Sequence, residues 1–392
     1  MNIPFLDLKA QYRSIKQEVE EKILEVIATQ KFILGPEVEQ LEKEIAAYTG
    51  VSYGIGVSSG SDALIVSLMA LGVGQGDAVV TTPFTFFATA GAIVRVGARP
   101  VFVDIQRDTF NMDPAHLEKV LDKVCGRSGP HRVKGIIPVH LFGQCADMAP
   151  ILEQAEHYGI PVVEDGAQAI GSEYPAPSGV KRANALGDLG ILSFFPSKNL
   201  GGFGDGGMVL TDREDLSEAI RLLRVHGAKN KYYHDRIGGN FRLDNLQAAI
   251  LRVKLRHLDR WIAERQQKAS TYDGLFEETG LTAENLVEVP ETVYRESGVP
   301  HYHTFHQYVI RVRERDGLQA FLKDRGVATA VYYPLALHLQ KCFSDLGYRK
   351  GDFPESEKAM DEVLALPVYP ELQQEQQGYI VSSIEAFYRK RT

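Results

Sequence analysis

Short apolar runs, nearly unbroken and rich in β-branched residues, recur along the first half of this chain. Each passes into a turn and often a helical pattern. Tyr53–Val57 runs into Ser58-Ser59-Gly60-Ser61-Asp62-Ala63-Leu64, and Ala78–Thr82 into PFTFFATAGAI. Pro100–Ile105 follows a glycine turn. Gly135–His140 and Ile160–Glu164 lead into LFGQCADMAPILEQAEHYG and DGAQAIGSEY. A strand that is apolar on both faces must be covered on both faces, and this is the position of a parallel strand between two layers of helices. The expected fold is α/β, a large doubly wound and mostly parallel sheet whose ligand site lies at the carboxyl ends of its strands.

The flanking segments complete the layout. Residues 15–50 read as two amphipathic helices split by LGPE at 34–37, and 243–275 as one long helix without proline or glycine before Gly274. Beyond residue 276 the texture becomes loop-rich. HQYVIRV, a helix around Gly317–Arg325, ATAVYYP and a last helix near 375–390 suggest a smaller α+β unit. A chain of 392 residues suits two domains. The expected division is 1–255 for the large domain and 256–392 for the small one.

Composition narrows the partners. A net charge of −8 speaks against nucleic acid. No apolar run approaches the roughly 18 residues of a membrane span, and MNIPFLDLKAQYRS has no signal-peptide core, so the expected location is cytoplasmic. Cys125, Cys145 and Cys342 are odd in number and far apart, against a disulfide framework. His301, His303 and His306 have no thiol or carboxylate beside them, so no metal site is expected.

Chemistry concentrates at four places. In DLGILSFFPSKNLGGFGDGG (Asp188–Gly207), Lys198 follows an apolar strand and precedes a glycine-rich run. Burial penalises an ammonium, and a lysine amine held neutral suits Schiff-base chemistry with a carbonyl. Ser58–Leu64 opens a helix with small residues, whose free amides suit a phosphate, although the same residues serve as ordinary caps. Phe86, in PFTFFATA, places a ring where it could stack on a flat cofactor or simply join the core. Asp165 ends an apolar strand in VVEDGAQ, where it either caps or pairs with a cation such as a protonated pyridine nitrogen. Together these are the four parts a pyridoxal phosphate (PLP) site needs.

FLDLKAQY, FILGPEV, SSGSDAL, PFTFFATA, VEDGAQAIGSEY, SFFPSKNLGGFGDGG, GGNFRLDNLQAAIL and YYPLALHLQ together resemble the DegT/StrS-type nucleotide-sugar aminotransferases, a fold-type I PLP-dependent family, nearly end to end. The resemblance implies that Lys198 carries the cofactor as a Schiff base, unlike members with histidine there that act as dehydratases. It also implies that Asp165 pairs with the pyridine nitrogen, Gln168 lies near the phenolic oxygen and Phe86 stacks on the ring. Gly60, Ser61 and Ser193 would hold the phosphate, and Asn240 would reach the phosphate of a neighbouring subunit, making the active site a homodimer interface. His306, Tyr308, Arg242 and Tyr332 would face the substrate. The implied activity is transfer of an amino group from an amino acid, glutamate being the expected donor, to a keto sugar on a nucleoside diphosphate. Position C3 is preferred over C4 on the form of GFGDGG, NFRLDNLQAAIL and FLDLKAQY. The product would serve surface polysaccharide or secondary metabolite synthesis. A non-catalytic PLP-binding sensor or regulator is the rival of another class. A nicotinamide-dependent oxidoreductase fails because no G-x-G-x-x-G follows the first strand.

Overall fold

The computed structural model describes residues 1–125, 132–230 and 232–389. The apolar runs form strands β1 (Tyr53–Val57), β2 (Asp77–Thr81), β3 (Arg99–Phe102), β4 (Arg132–Ile136) and β5 (Val163–Asp165). A surface hairpin, β6 (Glu173–Ala176) and β7 (Gly179–Arg182), separates these from β8 (Leu189–Ser193) and β9 (Gly207–Thr211). Two runs of paired strands, β3-β2-β4 and β5-β8-β9-β1, are joined by parallel bridges from Ile136 to Val162 and from Val139 to Asp165. All neighbours are parallel except those of β9, which runs antiparallel to both β8 and β1. The sheet is therefore mostly parallel, as the sequence predicts.

Helices α1 (Leu8–Thr29) and α2 (Pro36–Thr49) precede the sheet. Then come α3 (Gly60–Ala70), α4 (Ala88–Arg95), α5 (Pro114–Cys125), α6 (Met148–Tyr158) and α7 (Glu214–Leu223). Ile55, Val79, Val163, Ile191 and Val209 pack with α3 and α7 in one core. Ala78, Val80 and Ile136 pack with α5 and α6 in another, so residues adjacent along β2 point into different layers. No helix follows β5 directly. Asp165 Oδ1 accepts from Ala167 N at 3.2 Å, and the chain turns into the β6–β7 hairpin.

The expected single helix over 243–275 is two, α8 (Asn245–Leu255) and α9 (Leu258–Thr279). His257 N donates to Lys254 O at 3.0 Å, a tightened turn that ends α8. The break lets Leu258 and Ile262 enter the core under the sheet while Trp261 packs on Ile15 and Val19 of α1. A short hairpin, β10 (Ala228–Asn230) with β11 (Tyr233–His234), precedes α8.

Beyond α9 an antiparallel sheet of β12 (Val287–Glu288), β13 (Tyr308–Val312) and β14 (Val363–Leu366) is covered by α9, α10 (Arg315–Asp324) and α12 (Gln374–Arg389). The third strand is Val363–Leu366 rather than ATAVYYP, which contributes one bridge, from Ala330 to Ala365. Between them lies α11 (Pro354–Glu362). Ile3 is fully buried in this C-terminal core and its N–H donates to Gly326 O at 2.8 Å. Among the described residues no helix is long and apolar enough to cross a membrane.

Candidate active site

The carboxyl ends of β1, β2, β5 and β8 converge on a cavity of about 430 Å³. Strand β1 delivers the start of α3. Ser59 caps it, its hydroxyl accepting from Asp62 N at 3.0 Å, and the Asp62 carboxylate accepts from Ser58 Oγ at 2.7 Å. The first helical amides have no intrahelical acceptor and carry the positive end of the dipole, an anion-binding arrangement. Gly60 is dictated by contact. A Cβ there would lie 2.7 Å from Ser193 Cβ at the end of β8, so only glycine lets the helix start and the strand end close on one another.

Strand β8 passes through Ser193 to a turn in which Lys198 N donates to Phe195 O at 2.8 Å. The glycine-rich run folds back, with Gly202 N on Phe194 O and Phe194 N on Gly206 O, both at 2.8 Å. The Lys198 amine lines the cavity with no hydrogen bond among the described residues. Burial brings its pKa down to about 8, although the charge of Asp165 opposes the shift. Asp165 is 5% exposed. Burial raises its pKa, while the Thr89 hydroxyl, donating to Oδ2 at 2.7 Å, and the Ala167 amide favour the ionised form.

Gln168 is oriented on both sides: Phe142 N donates to its Oε1 at 2.8 Å, and its Nε2 donates to the Tyr333 hydroxyl at 3.1 Å. Phe86, 58% exposed, presents its ring at the cavity with Tyr333 beside it, centroids 6.4 Å apart. His306 is buried. Asn199 Nδ2 donates to Thr304 O at 3.0 Å, which turns Asn199 Oδ1 toward His306 Nδ1 at 3.3 Å. Burial and the charges of Lys198 and Arg265 hold its pKa well below 6.5, so the ring is neutral.

Of the residues the sequence singles out, Gly60, Ser61, Phe86, Asp165, Gln168, Ser193, Lys198, His306 and Tyr332 line this cavity. Three do not. Tyr308 is a correction: it is fully buried, and its hydroxyl donates to Asp273 on α9 at 2.7 Å in the C-terminal core, so it cannot face a substrate in the cavity. Arg242 donates through Nε to Asn240 Oδ1 at 2.8 Å, and Asn240 is exposed. Both lie on an extended segment bridged to Val57 and Val225, outside the cavity of their own chain.

The sequence reading misses Thr89, Tyr333 and a buried pair beneath Asp165. His140 Nδ1 accepts from Ala146 N at 3.0 Å, which leaves the proton on Nε2 to meet Glu164 Oε2 at 2.8 Å. Glu164 Oε1 accepts from Leu186 and Gly187, both at 2.7 Å, and His140 N donates to Asp165 O at 3.0 Å. Thr89 lies within PFTFFATA, but its spacing from Asp165 gives no local sign of their contact.

The donor set fits a phosphorylated aromatic aldehyde with a basic ring nitrogen. A buried carboxylate suits the ring nitrogen, an amine partly neutral near pH 8 suits the aldehyde, and the α3 amides with Ser61 and Ser193 suit the phosphate. This constellation on a mostly parallel sheet is that of the fold-type I PLP-dependent transferases.

Comparison with known proteins gives the particular group. The chain belongs to the DegT/DnrJ/EryC1/StrS aminotransferase family, whose model matches residues 13–385. It is 51% identical to a pleiotropic regulatory protein of Geobacillus stearothermophilus, over 99% of each chain. It is 42% identical to the UDP-2-acetamido-2-deoxy-3-oxo-D-glucuronate aminotransferase of Pseudomonas aeruginosa, over 94% of this chain and 96% of that one. The crystal structure of S. venezuelae DesV in complex with a ketimine intermediate superimposes with a TM-score of 0.89 at 36% identity, covering 98% of each chain. The protein is an aminotransferase.

Proposed function

We propose that the protein moves an amino group from glutamate to C3 of a keto sugar carried on a nucleoside diphosphate, in two half-reactions. It acts as a cytoplasmic homodimer with the site at the subunit interface. The observation that carries this reading is the Lys198 amine, half-buried, without a hydrogen bond among the described residues and depressed to about 8, in one cavity with Asp165. Bound PLP supplies the carbonyl that accepts the amino group and the ring that withdraws electrons. The chain's own residues do the rest. Asp165, whose ionised form Thr89 and Ala167 favour against burial, would hold a proton on the ring nitrogen, and Gln168 would hold the phenolic oxygen's side of the ring. Phe86 covers a ring face. The α3 amides, Ser61 and Ser193 bind the phosphate. Lys198 Nζ takes the proton from the donor's α carbon and serves as acid when the steps reverse on the sugar. Asn240 reaches into the partner's site, while Arg242, His306 and Tyr332 contact the sugar nucleotide. The division between the two domains is placed near 255/256; the packing of Ala269, Tyr272 and Phe276 of α9 in the C-terminal core supports assigning this helix to the small domain.

The 3-oxo sugar in the name of the Pseudomonas relative supports C3. C4 amination is the nearer alternative. The regulatory name of the Geobacillus relative favours a second reading, a PLP-binding regulator without turnover. Incubation with PLP, glutamate and candidate 3-keto and 4-keto sugar nucleotides, with the product placed by NMR, separates the three. An amine at C3 is expected. An amine at C4 overturns the position, and no glutamate-driven change in the cofactor's absorption overturns the reaction.

A further inference from the structure

Beside the main cavity lies a second chamber of about 260 Å³, which shares Ser197, His306, Gln307 and Tyr332 with it. Arg265, projecting from α9, forms part of its wall and is 4% exposed. Its Nη1 donates to Phe305 O at 3.0 Å and to Val368 O at 2.7 Å. Among the described residues only Nη1 of this guanidinium is hydrogen-bonded, which leaves Nε and Nη2 without a partner there. No carboxylate of the described chain sits within ion-pair distance. Glu371, half-buried with its pKa raised by burial, acts on Arg265 only through space. Across the chamber His306 feels the positive charge of both Arg265 and Lys198.

Tying two carbonyls together does not require a cation. A neutral donor would do it without the desolvation that brings this guanidinium down to about 10. A buried guanidinium in the wall of a chamber, with two of its nitrogens unbonded among the described residues, is complementary to a carboxylate, which it can grip with two parallel hydrogen bonds.

We propose that Arg265 recognises a carboxylate of the reacting molecule, seated in the side chamber next to Lys198. The inference rests on the transamination proposed above. An amino acid donor carries its α-carboxylate on the same carbon as the reacting nitrogen, and Ser197 of the chamber wall immediately precedes Lys198, so the donor is the source this placement favours. A carboxylate on the sugar ring is the other source of the same chemistry.

The test uses the holoenzyme and the variants Arg265→Gln, which keeps a donor for the two carbonyls, and Arg265→Lys. KM is measured separately for glutamate, for a neutral keto sugar nucleotide and for a carboxylated one. Protection against thermal unfolding by 2-oxoglutarate, relative to its uncharged diamide, is the readout independent of turnover. Arg265→Gln is expected to raise the glutamate KM by about 30-fold or more, to leave the neutral-sugar KM within about threefold, and to lose the 2-oxoglutarate protection, with partial recovery in Arg265→Lys. A rise confined to the carboxylated sugar assigns the carboxylate to the sugar and overturns the donor assignment. Unchanged KM values and protection with a lowered unfolding temperature overturn the proposal and leave Arg265 a structural tie. If both variants fail to fold, equal protection of the wild type by 2-oxoglutarate and its diamide overturns it. Failure of the wild type to turn over any keto sugar overturns the proposed reaction, while the protection arm still decides Arg265.

Discussion

The Lys198 amine releases its proton more easily than an exposed lysine because burial disfavours the ammonium by more than Asp165 favours it. Only the neutral amine attacks a carbonyl. The rate at which apoprotein captures PLP should therefore climb about tenfold per pH unit below about 8 and level off above it. A rate independent of pH from 6 to 9, followed by stopped-flow absorption, would rule out an amine tuned in this way. Lys198→Ala should remove both the capture and at least about 99.9% of turnover, since it deletes the group that makes and breaks the bonds. Asp165 depends on a neighbour in turn. The Thr89 hydroxyl stabilises its ionised form, so Thr89→Val should raise its pKa and move the acid limb of the kcat profile to higher pH, with kcat about tenfold lower on the plateau. An acid limb that stays put or moves down would show that Thr89 does not act on Asp165. Lys198 and Asp165 stood out in the sequence because Asp165 ends an apolar strand and Lys198 follows one, in the turn beyond β8. Tyr308 was misread for a related reason: all five residues of β13 are buried, so no polar alternation marks which face of the strand looks at the site. Tyr332 and Tyr333 stand side by side in the sequence, and only the fold shows that Tyr333 is the one bonded to Gln168.

At the level of elements, the start of α3 and the end of β8 meet at Gly60. Gly60→Ala forces a methyl group onto Ser193, so either the helix moves off the sheet or Ser193 gives way. The expected cost is about 1–3 kcal/mol of stability, with a loss of PLP affinity that a mere packing defect remote from the phosphate amides would not cause. Paired thermal-unfolding and PLP-titration curves distinguish the two. Lys254 on α8 is a second case. It is 2% exposed, its Nζ donates to Gly201 O at 2.6 Å, and burial alone lowers its pKa to about 8 from 10.5. The folded state therefore loses this proton before the unfolded state does. Between about 8 and 10.5 the unfolded chain binds more protons, and the group's contribution to stability rises with pH. Wild type should gain stability relative to Lys254→Met as pH increases from 7.5 to 10 in denaturant titrations; a constant or widening deficit would contradict a buried ammonium. The strands of the large sheet were legible because their apolar runs have one interpretation. The α8–α9 break was not, because Arg256 and His257 carry no helix-stopping signal; the interruption answers to what Leu258, Trp261 and Ile262 must reach.

For the whole molecule, the described chain leaves Ile33, Phe203 and Ile237 exposed, at 51%, 46% and 90%. Ile33 is bridged to Asp244, two residues past Arg242, so one of these side chains adjoins the Asn240–Arg242 segment that its own cavity does not use. Exposed apolar groups beside unused polar ones are what a second subunit would cover. The role expected of this segment comes only from the family resemblance, because nothing in one chain shows what an exposed asparagine meets. Subunit mixing tests it directly. Lys198→Ala and Asn240→Ala homodimers should each be inactive or nearly so. If Asn240 serves the partner's site, each mixed dimer holds one site with both defects and one with neither. Equal amounts of the two variants, exchanged to equilibrium, give about half mixed dimers and hence about a quarter of wild-type activity. If Asn240 serves its own chain's site, each site in a mixed dimer keeps one defect and the mixture stays as inactive as its parents. Recovery to about a quarter therefore requires a site built from two chains, and its absence in a preparation shown to exchange subunits would confine Asn240 to its own subunit.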